Sequence, residues 1–270
     1  MRTSERRGSA IATSLMDAAA PLYPFVDLHL HALPRLDSGA ASLAAAVDLC
    51  VQAVHHGIAY AVLTPHYKAK PYAERMARLK PRLVRLQDAL IDRGIHLEVA
   101  LAGECRFDAA LHQAIRTGDL PWLGIWEGER VLLIEFSDAR VPPQFDRALE
   151  WMRSRGIRPM LAHPERIREV QARPDRLAPL IEIGLLLQID ADALAGGRGP
   201  FALEAAARLL RNGWVTVLAS NAHDPIQQPP RIEAGRAVAA GLVGEDASWE
   251  LVSRRPARIA SLHFPTLAKP

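Results

Sequence analysis

Between residues 25 and 220, seven short runs of apolar and β-branched residues alternate with six longer amphipathic stretches. This repetition limits the fold more than any other feature of the chain. The short runs, at 25–31, 58–64, 95–103, 131–136, 157–162, 185–189 and 214–220, read as strands. Helical periodicity fills 42–56, 72–93, 107–116, 143–155, 174–183 and 200–212. Gly57, Gly94, Gly156, Gly184 and Gly213 each close a helical stretch just before the next strand. Glycine there takes the left-handed backbone that ends a helix at little cost. Ser42 is placed to cap the first helix. Strand–helix units in series predict an α/β fold with a parallel sheet, because a parallel pair needs a long crossover. A closed barrel and an open doubly wound sheet both satisfy the pattern.

With 270 residues and no sharp linker, the expected organisation is a single domain over 24–270 behind a flexible leader at 1–23. Hydrophobic residues make up 49% and charged residues 23%, enough to build a core and to exclude wholesale disorder. The net charge of +3 is spread without a long basic block, which argues against a nucleic-acid partner. No apolar run reaches the roughly 18 residues that span a bilayer, so no membrane insertion is expected. Thr13, Ser14 and Asp17 interrupt any secretory apolar segment. The two cysteines build no disulfide framework. Together these features predict a cytoplasmic protein.

The chemistry sits where the strands end. Predicted strand ends carry His29 and His31, His66, Glu104, Glu135, His163, then Asn221 and His223. In a parallel α/β fold the carboxyl ends of all strands meet on one face, where active sites form. His29 and His31 are two apart on a strand and so point to one side. Seven imidazoles and carboxylates converging with Asn221 predict a metal centre. The nitrogen and oxygen donors suit Mn, Fe or Zn. They exceed what one tetrahedral ion needs, so two or three divalent ions are expected. His55 and His56 end a helix, where a cation suits the dipole, and His96, His112 and His263 lie outside the pattern.

Arg166, three residues after His163, is a candidate phosphate clamp, because guanidinium binds phosphate bidentately. Tyr67 and Arg106 follow His66 and Glu104 closely enough to face the same site. A thiol phosphatase would need an Arg six positions after its Cys. Those positions hold His56 and Leu111, so Cys50 and Cys105 do not fit, and Cys105 reads as a small apolar filler.

The motifs DLHLHALPRLDSGA (27–40), TPHY (64–67), GECR (103–106), LIEF (133–136), AHPER (162–166) and SNAH (220–223) stand in one order over about 25–265. In this the chain resembles the polymerase-and-histidinol-phosphatase superfamily, and within it the bacterial tyrosine-protein phosphatases of capsule and exopolysaccharide export. The resemblance implies a distorted (βα)7 TIM-like barrel with a trinuclear centre. It implies the five strand-end histidines, the two glutamates and residue 221 as ligands. It implies in-line hydrolysis of phosphotyrosine by a metal-activated hydroxide. The implied partner is the phosphotyrosine tail of a polysaccharide-export tyrosine kinase. Asp37 matches an acidic position of the first loop, with a role in stabilising that loop or protonating the leaving phenolate. Arg166 matches a phosphate-binding arginine.

Two departures stand out. Asn221 replaces the usual Asp, so one ion is expected to bind more weakly. Gln228 stands where an Arg is frequent, and Arg231 would substitute only through a rearranged loop. These departures keep two alternatives open: a phosphoesterase for a small metabolite, or a weakened variant that binds phosphotyrosine.

Overall fold

In the computed structural model the described residues are 24–34, 36, 39–67, 72–118 and 120–268. The expectations for the leader and for Asp37 fall outside them. The strands are β1 (Phe25–Leu30), β2 (Ile58–Leu63), β3 (His66–Tyr67), β4 (Glu98–Leu101), β5 (Glu104–Arg106), β6 (Gly124–Trp126), β7 (Glu129–Glu135), β8 (Ile157–Ala162), β9 (Leu186–Asp190) and β10 (Val217–Ala219). Between and after them run α1 (Leu43–His55), α2 (Tyr72–Asp92), α3 (Ala109–Thr117), α4 (Phe145–Arg153), α5 (Arg168–Ala172), α6 (Ala178–Ile183), α7 (Ala191–Leu194), α8 (Pro200–Arg211), α9 (Ile232–Val243), α10 (Glu245–Trp249) and α11 (Arg255–Ala260).

The architecture is α/β with parallel sheets. β1, β2 and β4 form one sheet, and β10-β9-β8-β7-β5-β3 form the second, with β6 joined antiparallel to β7. The two sheets share chain direction at two kinks. β2 stops at Leu63 and β3 resumes at His66; β4 stops at Leu101 and β5 resumes at Glu104. Pro65 has no N–H to give a ladder. Gly103 lies so close to Pro121 that an added Cβ would sit 3.1 Å from that ring. Backbone bonds still cross the kinks, from Thr64 N to Leu30 O, Ala102 N to Leu63 O and Glu104 N to Pro65 O. The continuous strand expected at 95–103 is therefore two strands, and Glu104 opens the second instead of closing the first.

The last strand returns to the first. Asn221 N donates to His29 O at 2.8 Å, and His31 N donates to Ala222 O at 2.9 Å. Below this contact the buried Asp27 carboxylate accepts from Ser220 N at 3.0 Å, from Ser220 Oγ and from His29 N at 3.1 Å. Among the described residues the ladders remain two sheets and do not run unbroken around a ring.

Both faces of the sheets are buried, as parallel strands require. Val26, Leu28, Val131, Leu133, Met160 and Val217 pack in one cluster with Ile259 and Phe264. Their strand neighbours Leu132, Ile134, Leu161, Leu187 and Leu218 pack in the other, against helix residues such as Leu49, Leu86 and Leu209. The period of two along each strand thus feeds two cores. The five glycines after helices all have positive φ, between 64° and 113°. Ser42 Oγ accepts from Ala45 N at 3.1 Å, so the first helix is capped as expected. The helices α9 to α11 cover a stretch for which the periodicity had suggested no elements. No helix among the described residues is long and apolar enough to cross a membrane.

Candidate metal centre

The carboxyl ends of the strands gather the expected donors into one cluster. β1 carries His29 and delivers His31, β3 carries His66, β5 carries Glu104, and β7 ends in Glu135. His163 follows β8, and Asn221 and His223 follow β10. His163 and Asn221 hold left-handed φ values of 37° and 47°, sparsely populated for residues with a side chain. Such conformations concentrate at functional sites, where the surroundings hold them.

Glu104 is the hub. Its Oε1 lies 2.8 Å from His163 Nε2. Its Oε2 lies 3.0 Å from His66 Nδ1, 3.4 Å from His29 Nε2 and 3.5 Å from His31 Nε2. Glu135 Oε1 stands 3.7 Å from His66 Nδ1. His31 and His223 stack with ring centroids 3.8 Å apart. Three overlapping triads bring their donor atoms within 4.8 Å of one another: His31–His66–His223, His29–His31–Glu104 and His66–Glu104–Glu135.

The charge state follows from these contacts. Burial alone would lower the His29 imidazole, but Glu104, with Asp190 and a bond to Gln188, outweighs it and raises the group to about 9. Burial would likewise raise Glu104, yet His29, His163 and His31 hold it well below the usual carboxylate range. The pair of His29 and Glu104 is therefore biased toward imidazolium and carboxylate, and a cation binding there would compete with the His29 proton.

A layer of polar residues supports the donors, and sequence reasoning missed it. Gln188 Oε1 lies 2.8 Å from His29 Nδ1, which directs His29 Nε2 toward Glu104 and the other donors. Gln188 Nε2 donates to Asp190 Oδ1 at 3.2 Å, and Asn221 Nδ2 donates to Asp190 Oδ2 at 3.0 Å. Asp190 N donates to Glu165 Oε1 at 3.0 Å. Burial, reinforced by Asp190, pushes the Glu165 carboxyl well above its usual range. The signal was present in the run LLLQID, where two polar residues interrupt an otherwise apolar strand.

Asn221 tests whether cations fit. Its amide nitrogen is spent on Asp190, so its Oδ1 is left buried with no hydrogen-bond partner. An orphaned buried oxygen beside imidazoles and carboxylates is a ligand position for a divalent ion. The donor set therefore fits the metals expected of it.

The cluster opens into a cavity of about 670 Å³. Tyr67, Arg106 and Arg166 line it, together with Gln228. Arg106 Nη1 lies 3.5 Å from Glu135 Oε2, and Arg166 Nη2 lies 3.9 Å from Asp138 Oδ2. Gln228 Nε2 bonds Asn221 O and lies 3.1 Å from His223 Nδ1, so it braces the ligand loop. Arg231 lies outside the lining, its Nη1 3.5 Å from Asp192 Oδ1. Asp224 Oδ1 accepts from Ile226 N and Gln227 N, both at 2.8 Å. Arg231 immediately precedes α9. Arg198, which the sequence did not single out, lines the cavity instead. Burial pushes the Cys50 thiol up to about 12 and Cys105 well above the thiol range, so neither is a nucleophile at neutral pH.

The model of the capsular polysaccharide synthesis family CpsB/CapC matches residues 25–261. The tyrosine-protein phosphatase YwqE of Bacillus subtilis is 30% identical over 205 residues, 74% of this chain and 77% of its own length. The tyrosine-protein phosphatase CpsB of Streptococcus pneumoniae is 23% identical over 239 residues, 87% of this chain and 97% of its own. A chain from the crystal structures of YwqE and CpsB, described as metal-dependent tyrosine phosphatases, superposes with a TM-score of 0.75 at 28% identity. That superposition covers 83% of this chain and 90% of the other.

Proposed function

Since the chain belongs to the CpsB/CapC family of capsular polysaccharide synthesis, we propose that it is a metal-dependent phosphotyrosine phosphatase. The observation that carries the reading is the convergence of five imidazoles, Glu104 and Glu135 in one cluster, of which His66, His163, His223 and both glutamates line the cavity. His29, His31, His66, Glu104, Glu135, His163, Asn221 and His223 would hold two or three divalent ions. The bound ions would supply Lewis-acid polarisation of the phosphoryl group and activation of water near neutral pH.

The chain's own residues prepare the rest. Gln188 orients His29, and Gln228 holds the loop of Asn221 and His223. Arg166 stands at the cavity wall, and among the described residues its ionic contact is the long one to Asp138, so its guanidinium is available to phosphoryl oxygens. Tyr67, 7% exposed in the lining, offers an aromatic wall to a phenol ring. A seven-strand distorted barrel is the reading of the fold that best joins these parts. It counts β2 with β3 and β4 with β5 as single kinked strands, and it is supported by the β10-to-β1 contacts through Ser220, Asn221 and Ala222. The substrate we assign is the phosphotyrosine tail of a polysaccharide-export tyrosine kinase, acted on in the cytoplasm.

The test compares a phosphotyrosine peptide with histidinol phosphate after loading with Mn²⁺, and again after chelation. Metal-dependent turnover of the peptide is the expected result. Turnover of histidinol phosphate alone would overturn the reading in favour of a small-metabolite phosphoesterase.

A further inference from the structure

Three arginines line the cavity, and they are not equivalent. Arg106 is 46% exposed and Arg166 36%, whereas the Arg198 side chain is 25% exposed. Arg198 Nε and Nη2 are both buried without a hydrogen-bond acceptor. Among the described residues its ionic contact is Nε to Asp192 Oδ2 at 3.6 Å, too long for a hydrogen bond. Buried N–H donors left without acceptors are costly, and Arg153, Arg158 and Arg236 each leave one too; what sets Arg198 apart is its place on the cavity wall.

The mount for this side chain is built into the loop AGGRGP (195–200). Gly197 N donates to Asp192 O at 2.9 Å, folding the loop back over α7. A Cβ on Gly197 would stand 2.3 Å from Asp192 Oδ1, so only glycine lets the loop close on that carboxylate. Gly196 and Gly199, with φ of 87° and 85°, supply the left-handed turns on either side. Asp192 is 7% exposed and sits between Arg198 and Arg231, with Oδ1 3.5 Å from Arg231 Nη1. One carboxylate shared by two guanidinium groups leaves cationic charge and N–H donors in excess.

We propose that Arg198 is a second anion-gripping residue of the cavity, binding the phosphoryl oxygens of the substrate, and that Asp192 is the positioning residue that holds it. This deepens the phosphatase reading and rests on it for the identity of the substrate. It assigns a role to the loop after β9 and α7, which carries none of the metal ligands proposed above.

The test titrates inorganic phosphate into the Mn²⁺-loaded protein by calorimetry, beside steady-state kinetics on a phosphotyrosine peptide. Arg198→Ala should weaken phosphate binding at least tenfold with metal content unchanged. Its peptide KM should rise more than its kcat falls. Arg198→Lys should recover part of the affinity, because it keeps charge and loses the fork. Asp192→Asn should raise KM several-fold by freeing the guanidinium. Phosphate affinity within twofold of the parent in Arg198→Ala would overturn the assignment. If that variant does not fold, Arg198→Gln decides by the same criterion. The two readings fail separately. A protein that cleaves no phosphotyrosine yet loses phosphate binding with Arg198 keeps the assignment and drops the phosphatase reading. Peptide turnover with phosphate binding indifferent to Arg198 does the reverse.

Discussion

The two ends of the parallel strands use the same residue types in opposite ways. At the amino ends of β7 and β8, Arg158 donates to Glu129 and to Glu127 at 3.0 Å each, and Arg153 stands 3.2 Å from Glu129. There each carboxylate meets a guanidinium, although Arg153 Nη1 and Arg158 Nε are buried without a hydrogen-bond acceptor. At the carboxyl ends the accounting is unbalanced. Four imidazoles crowd Glu104, the oxygen of Asn221 has no donor, and Glu165 is buried beside Asp190. Paired charges near solvent contribute little and stabilise locally. Crowded, desolvated donors with oxygen left over have the chemistry that suits a divalent cation.

The sharpest way to break this contrast is to remove the hub. Glu104→Gln should lower metal affinity and phosphatase activity by more than about 100-fold, beyond what losing a supporting residue costs. Metal analysis of the purified variant checks it, and full metal content with normal turnover would mean that Glu104 is not the hub.

Asn221→Asp probes the supporting layer. In the metal-free protein an Asp at this position would face the Asp190 carboxylate, now 3.0 Å from the Asn221 amide, and lose that donor. The expected cost is about 1–3 kcal/mol of metal-free stability, with a larger stabilisation on adding Mn²⁺ than the parent shows. Adding Asp190→Asn should restore the metal-free melting temperature. An unchanged melting temperature in the single variant would show that the amide is not matched to Asp190.

Proton coupling gives a smaller, graded effect. His29 is raised from 6.5 to about 9, so the metal-free protein gains stability from it that is fully present below pH 6.5. That stability is lost as pH rises through about 9. Metal binding should accordingly release a proton from His29 at pH 7.5 and none once the pH is well above 9. Calorimetry in buffers of different ionisation heat measures the release, and no buffer dependence at pH 7.5 would contradict the assignment.

The smallest effect belongs to the other end. Glu127→Gln removes one partner of Arg158, is 64% exposed, and should cost under about 0.5 kcal/mol with activity unchanged. Thermal melts and peptide kinetics together check it, and a drop in activity would erase the distinction between the two ends.

Much of this was legible before any coordinates. His29 and His31 declare themselves by alternation, and the helix-ending glycines mark the unit boundaries. The kinks at Pro65 and Gly103 were not legible, because nothing local says whether a Pro or Gly ends a strand or bends it. Gln188 and Asp190 looked like ordinary strand residues until their partners, His29 and Asn221, arrived from strands far away in the chain. The arginine assignment shows the limit best. Arg231 was expected to reach the site only through a rearranged loop; it lies outside the lining, and Arg198 enters from the neighbouring loop.

The amino-acid sequence by itself determined the α/β alternation, the inventory of donors and their placement at strand ends, because periodicity and side-chain chemistry are local properties. Tertiary structure alone decided which oxygen remains unsatisfied, which carboxylate becomes the hub and which guanidinium reaches the cavity. Those outcomes depend on distances of a few ångströms between residues separated by tens to hundreds of positions. Such distances are set by how strands kink, return and pack, and only the folded chain fixes them.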